Sequence, residues 1–304
     1  MHAVFDLWQN PVTYAIPFFL LSIGIEIAAL KWLDHDDNAI GMAAYDLRDA
    51  RTSILMGVGS LATTIVLKVV MFVLYILIWD HLALWHVPLT WWGIALAVVA
   101  LDLAYYLNHR FVHRARVGWA AHQAHHSSEY MNLATALRQK WNPWWEILFF
   151  APLPLLGFSP AAVYIALGFN LVYQFFTHTE AIQRLPRPIE AVFNTPSHHR
   201  VHHGSDPIYL DRNYAGILII WDRMFGTFQR ELHRPTYGLT KPVITHNLVT
   251  LQYGDYAALW ADVRRARGWR ERLGYLFRPP GWAPEGETPT ASASLTPRAD
   301  PVRP

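Results

Sequence analysis

The chain has 304 residues and no cysteine. Disulfides, thiolate-bound zinc, iron–sulfur clusters and thiolate-bound haem are therefore excluded, and any metal must be held by His, Asp or Glu. Charge is scarce as well. Only 16% of residues are charged, against about 25% in an ordinary soluble domain. The net charge of +2 is too small to point to nucleic acid. Residues 1–13 and 80–90 contain no lysine or arginine. With no basic segment before the first apolar run, a cleaved signal peptide is not expected. The H-E-x-x-H motif is missing too, which weighs against a zinc hydrolase.

What the chain has instead is apolar length and histidine. Hydrophobic residues make up 53% of it, concentrated in stretches at about 14–30, 54–79, 91–107, 143–157 and 161–177. A spanning helix needs roughly 20 mostly apolar residues. The first three stretches meet that length within tolerance. The last two, parted by Ser159 and Pro160, predict a hairpin that crosses and returns or only dips in. The fold expected is all-α, a polytopic membrane protein with four or five transmembrane or hairpin helices. Tryptophans 79, 85, 91, 92, 141, 144 and 145 gather at the ends of these stretches, as an aromatic belt would.

Arg110, Arg114, Arg116, Arg138 and Lys140 follow the third stretch, and arginine is frequent after His178. The positive-inside rule then places the N-terminus outside. It places a helical cap, residues 108–142 and 178–278, in the cytoplasm with the C-terminus. Residues 1–278 form one domain on this reading. Residues 279–304 hold seven prolines and are expected to be a disordered tail.

Ten of the sixteen histidines lie between His109 and His203. His109-x-x-x-His113 places two imidazoles on one helical face. His122-x-x-His125-His126 repeats that geometry, His178 ends the fifth stretch, and His198-His199-x-x-His202-His203 contains a second H-x-x-H-H. Imidazoles at this density would repel one another if protonated, and a cation resolves that. All-nitrogen ligation suits Fe, Zn, Cu or Ni, and so many ligands imply two ions. His2, His35, His81, His86, His233 and His246 are given no role. Asp102 lies seven residues, about two helical turns, before His109 and could orient a ligating imidazole. Glu129 and Glu180 follow histidine clusters and are candidate partners or open-site ligands. Glu26 and Lys68 sit inside apolar stretches, where they could pair. Arg138 and Arg200 could anchor a headgroup.

The order of clusters resembles the membrane fatty acid hydroxylase/sterol desaturase superfamily of di-iron oxygenases. The runs DLAYYLNHR from Asp102, WAAHQAHHSSE from Trp119, TALRQ from Thr135, HTE from His178, TPSHHRVHHG from Thr195 and NYAGILIIWD from Asn213 look like its alkylglycerol monooxygenase branch. The likeness covers roughly residues 45–240. It implies that His109, His113, His122, His125, His126, His199, His202 and His203 hold two irons, with His178 at a further ligand position. Gln174 stands where another branch has a histidine, and His198 is a candidate neighbour that supports the ligands. The animal enzyme of the branch is longer and uses tetrahydrobiopterin. The resemblance therefore implies O2, a membrane lipid substrate, and an electron donor protein or a tetrahydropterin. Ether cleavage through an unstable hemiacetal, or hydroxylation or desaturation of an acyl chain, ornithine lipid, sterol or carotenoid, would all fit. Zinc could replace iron in a purified sample. A histidine-rich metal transporter is the alternative of another class, although its ligands would be expected nearer mid-bilayer.

Overall fold

The computed structural model describes residues 11–33, 45–241 and 245–290. His2, His35 and residues 291–304 lie outside the described residues. Among the described residues there is no strand, only the isolated bridges Phe193–Leu218 and Gly204–Tyr237. The helices in order are α1 (Pro11–Leu33), α2 (Leu47–Thr63), α3 (Ile65–Leu82), α4 (Trp91–Arg114), α5 (Arg116–His122), α6 (Glu146–Phe150) and α7 (Pro152–Leu155). They continue with α8 (Pro160–Phe175), α9 (Arg187–Val192), α10 (Pro196–His203), α11 (Ile220–Met224), α12 (Leu248–Arg265) and α13 (Trp269–Phe277).

The stretch expected as one helix from 54 to 79 divides at Thr64. Ser60, Thr63 and Thr64 return their hydroxyls to the carbonyls of Gly57, Gly59 and Ser60. Such back-bonding competes with the backbone ladder and bends helices. On the cap side of the break, α2 is capped by Asp46, whose carboxylate accepts the amides of Arg48 and Asp49. Beyond it, α3 exposes Ile65, Val66, Val69, Val70, Val73 and Leu77. A helix this apolar, with its apolar side chains turned outward, suits a lipid surroundings rather than water. By length and composition α3 and α4 are the two described helices able to cross a membrane; α1, α6–α7 and α8 are shorter apolar elements.

The 143–177 hairpin returns to where it starts. Its tip meets the turn joining α3 to α4: Leu84 N–H donates to Leu155 O, and Val87 N–H and Trp79 Nε1 donate to Gly157 O. Gly157 has φ +96°, and a Cβ there would lie 2.0 Å from the Trp85 carbonyl oxygen, so only glycine fits. Pro152 opens a new helix and splits the fourth stretch into α6 and α7. Then Ser159 caps α8, with Pro160 at its first position. An apolar core of Leu67, Met71, Leu101, Phe150 and Val163 joins α3, α4, α6 and α8. At the opposite end from the hairpin tip, α4 runs past the expected boundary at 107 to Arg114, so His109 and His113 extend the same helix.

Two expectations are corrected. Residues 279–290 are not a disordered tail. Trp282 packs on Tyr275, and Thr290 donates its N–H and hydroxyl to Asp262. Glu26 does not pair with Lys68: it accepts from Tyr45 Oη, Leu133 N–H and Thr179 Oγ1, tying α1 to the cap.

Candidate metal centre

Nine histidines converge in two adjoining groups. His109 and His113 from α4, His122 and His126 around the end of α5, and His202 from α10 form a group of five. His125, His178, His199 and His203 form a group of four. Within each group the candidate ligand atoms lie within 4.8 Å of one another, and every residue is buried. Each H-x-x-H-H divides its histidines between the groups. Rings of the two groups touch across the boundary, with His126 stacked on His203 at 4.4 Å between centroids.

The geometry fits a metal in each group. Nε2 of His122 is 3.0 Å from that of His109 and 3.2 Å from that of His126. Nε2 of His199 is 3.0 Å from that of His178 and 3.2 Å from that of His203. Two nitrogens each about 2.1 Å from one ion are about 3.0 Å apart at a right angle and about 3.4 Å at the tetrahedral angle. His113 Nε2 and His202 Nε2 are buried without any hydrogen-bond partner, an arrangement that a ligated ion would satisfy.

Backbone carbonyls set the ring orientations. His109 Nδ1 bonds Tyr214 O at 2.8 Å, His125 Nδ1 bonds Arg138 O at 3.2 Å, His178 Nδ1 bonds Gln174 O at 2.7 Å and His202 Nδ1 bonds Arg212 O at 3.1 Å. With Nδ1 donating, Nε2 carries the free lone pair. Burial, and then the neighbouring imidazoles, hold His122, His125, His126, His199 and His203 far below the usual histidine range. Burial also brings His178 and His202 down to about 4, although carbonyl bonds oppose it. These imidazoles are neutral at pH 7, the form that binds metal.

The loop that supplies two of those carbonyls is itself held in place. Asp211 and Asn213 adopt φ of 59° and 54°, an uncommon conformation for residues other than glycine. Between and beside them, Arg212 O and Tyr214 O turn toward histidines. Asp222 accepts Tyr214 N–H and Ala215 N–H, each at 2.8 Å. Asp102 accepts Ile217 N–H, Leu218 N–H, Trp221 Nε1 and Asn170 Nδ2 at 2.7–2.9 Å. Asp102 makes none of these bonds to an imidazole, contrary to the orienting contact expected from its spacing. It fixes the loop that fixes His109.

The remaining candidates are also placed. Glu129 packs against Gly238 and Glu180 bonds Arg234 and Tyr237; neither carboxylate enters a histidine group. Glu180, Arg200, Glu231 and Arg234 line a polar cavity of ≈ 330 Å³. His198 stays out of both groups, with Nε2 3.2 Å from Glu190 and Nδ1 near Phe193 O. Gln174 touches the four-histidine group through its carbonyl, while its side chain accepts from Tyr105 and donates to Asn170. Arg138 and Arg200 are internal rather than headgroup-facing. Arg138 bonds Asp49, Ser53, Ser127 and Ala124 O, and Arg200 bonds Glu231 through two nitrogens. Sequence reasoning missed the four carbonyl acceptors and Asp49.

Residues 94–227 match the model of the fatty acid hydroxylase family, described as "Fatty acid hydroxylase". Over those residues the chain carries that family's domain. Among curated relatives it is 42% identical over 281 residues to an alkylglycerol monooxygenase of Danio rerio and 40% identical over 282 residues to that of Homo sapiens. Each alignment covers 90% of this chain and 60% of the relative, so the chain spans about 60% of their length. An ornithine lipid hydroxylase of Rhizobium tropici is 30% identical over 138 residues, 44% of this chain and 41% of that protein. No solved structure matches the chain.

Proposed function

We propose that this protein is a membrane-embedded oxidoreductase, a lipid monooxygenase whose two histidine groups each hold an iron ion. The observation that carries the reading is the pair of buried, neutral, all-nitrogen groups lying side by side. When bound, the irons supply the O2-dependent chemistry that no side chain offers, the oxidation of an unactivated C–H bond. The protein's own part is placement. Nine imidazoles bind, four of them aimed by carbonyls, and α1, α3, α4 and α8 build an apolar surround that excludes water and admits a lipid chain.

The kinship with alkylglycerol monooxygenases favours an ether lipid as substrate. O2, two electrons and two protons convert a C–H beside the ether oxygen into a hemiacetal and water. The hemiacetal then falls apart into an aldehyde and an alcohol. The electrons come from a donor protein or a reduced pterin. In this reading α1, α3, α4 and the α6–α8 hairpin enter the bilayer. The arginine-rich cap and the metal centre face the cytoplasm. A second reading, supported by the ornithine lipid hydroxylase alignment across 44% of this chain, is hydroxylation of a lipid that stays intact.

Lipid extracts from cells with and without the active protein under ¹⁸O2 test both. Label in an aldehyde or its derived alcohol is expected. Label kept in an intact hydroxylipid selects the second reading, and no O2-dependent product contradicts both. His125→Ala is expected to abolish the labelled product.

A further inference from the structure

A cavity of ≈ 40 Å³ lies against the five-histidine group. His113, His126 and His202 form one wall, and Trp119, Gly204, Asp211, Leu239 and Pro280 are among the residues that complete it. Apart from Pro280, every residue that lines it belongs to the cap, and none comes from the apolar stretches, so the cavity lies on the cap side of the centre. Leu210, Asp211 and Thr240 at its edge are partly exposed. A water needs about 10–15 Å³ of such space, so the cavity admits a few atoms and no lipid chain. The Trp119 indole, 8% exposed, packs against the rings of His113 and His126 at 5.2 and 5.6 Å. Its Nε1 is buried without a hydrogen-bond partner, as are Nε2 of His113 and of His202, which line the same cavity. A buried N–H is rarely left unpaired. Here three residues with an unpaired nitrogen line one small space.

We infer that this cavity is the port and seat for a small acceptor ligand at the five-histidine site, a molecule of two or three heavy atoms such as O2 or azide, and that Trp119 donates a hydrogen bond to it. The inference rests on the reading of that group as a metal site. It divides access to the centre: small ligands arrive from the aqueous cap, while the lipid chain arrives from the bilayer. Gly238 supports the port. It has φ +95° and closes the cavity wall over Glu129, where a Cβ would crowd the Glu129 side chain at 3.1 Å.

The test uses the full chain in lipid nanodiscs, stripped of metal and reloaded with Co(II). Elemental analysis and the Co(II) visible bands come first; failure to load contradicts the metal reading itself, and the inference with it. Azide is then titrated. In the wild type, saturable changes in the Co(II) bands are expected. Trp119→Phe should keep its cobalt and lose azide affinity by about tenfold or more, the worth of a hydrogen bond to a charged group. Leu239→Phe, which narrows the cavity without touching a histidine, should keep its cobalt and slow azide binding. A fully loaded Trp119→Phe protein that binds azide as the wild type does overturns the donor role. A fully loaded Leu239→Phe protein with unchanged azide kinetics overturns the port.

Discussion

The five-histidine and four-histidine groups draw on the same two H-x-x-H-H motifs, yet they are anchored to different parts of the molecule. The group of five hangs from the end of α4 and from the 211–218 loop. Its cavity opens among cap residues. The group of four takes His178 from the end of α8 and His125 from a turn held by Arg138. Thr179, beside His178, is bonded to Glu26 of α1. The group of five therefore opens toward the polar cap through its cavity, while the group of four is braced through Thr179 against α1. Interleaving the motifs joins two unlike environments in one centre, with no helix having to carry a whole site.

Removing ligands should separate the groups most sharply. His199→Ala leaves the smaller group with three nitrogens and should drop bound metal toward about one ion per chain, because it takes a ligand from the site that has the fewest. His113→Ala leaves the larger group with four and should hold both ions more weakly. Metal analysis after dialysis reads the difference, and equal losses would erase the distinction. Next in size is the support of His125. The Arg138–Asp49 pair is buried, at 2.8 Å, and Arg138→Ala leaves the carboxylate its Ser128 bond but no countercharge. A loss of about 3–5 kcal/mol is expected by chemical denaturation, with metal lost from the group of four first.

Asp102→Ala tests the support of the other group. It deprives four donors of their acceptor and should cost at least about 3 kcal/mol. It should also loosen His109 while leaving His178 in place, a contrast that spectroscopy of the loaded protein would show. The smallest effect is at Asp255, on α12. Both of its carboxylate oxygens are buried without partners. Burial raises it to about 6, against an opposing pull from Arg116. A carboxyl raised above its ordinary value destabilises the fold where it must ionise. That cost is full above about pH 6 and fades as pH falls toward its ordinary value near 4. Asp255→Asn should therefore gain about 3 kcal/mol at pH 8 and well under about 1 kcal/mol at pH 4. Equal gains at both values would show that charge is not the cause.

The histidine pattern was the most legible feature, because i, i+3 and i+4 spacings translate directly into shared helix faces. The apolar runs were legible as helices, but their ends were not. The break at Thr64 depends on hydroxyls returning to carbonyls. The extension of α4 to Arg114 carries polar residues that hydropathy reads as loop. Asp102 shows the limit of spacing arguments. Two turns from His109 is the right pitch for contact, but the carboxylate instead takes two loop amides more than 100 residues away, Ile217 and Leu218, with Trp221 Nε1 and Asn170 Nδ2 completing its shell. The carbonyls of Arg138, Gln174, Arg212 and Tyr214 could not be read at all, since every residue has one. The proline-rich segment from 279 looked unstructured by composition, yet Asp262 and Arg116 capture Thr290.

The most direct measurement is an anaerobic titration of the metal-free protein in nanodiscs with Fe(II), followed by Mössbauer spectroscopy. The account predicts a break at about two ions per chain, with two distinguishable histidine-ligated iron environments. A break at one ion, or iron bound without loss of the free imidazole signals, would contradict it.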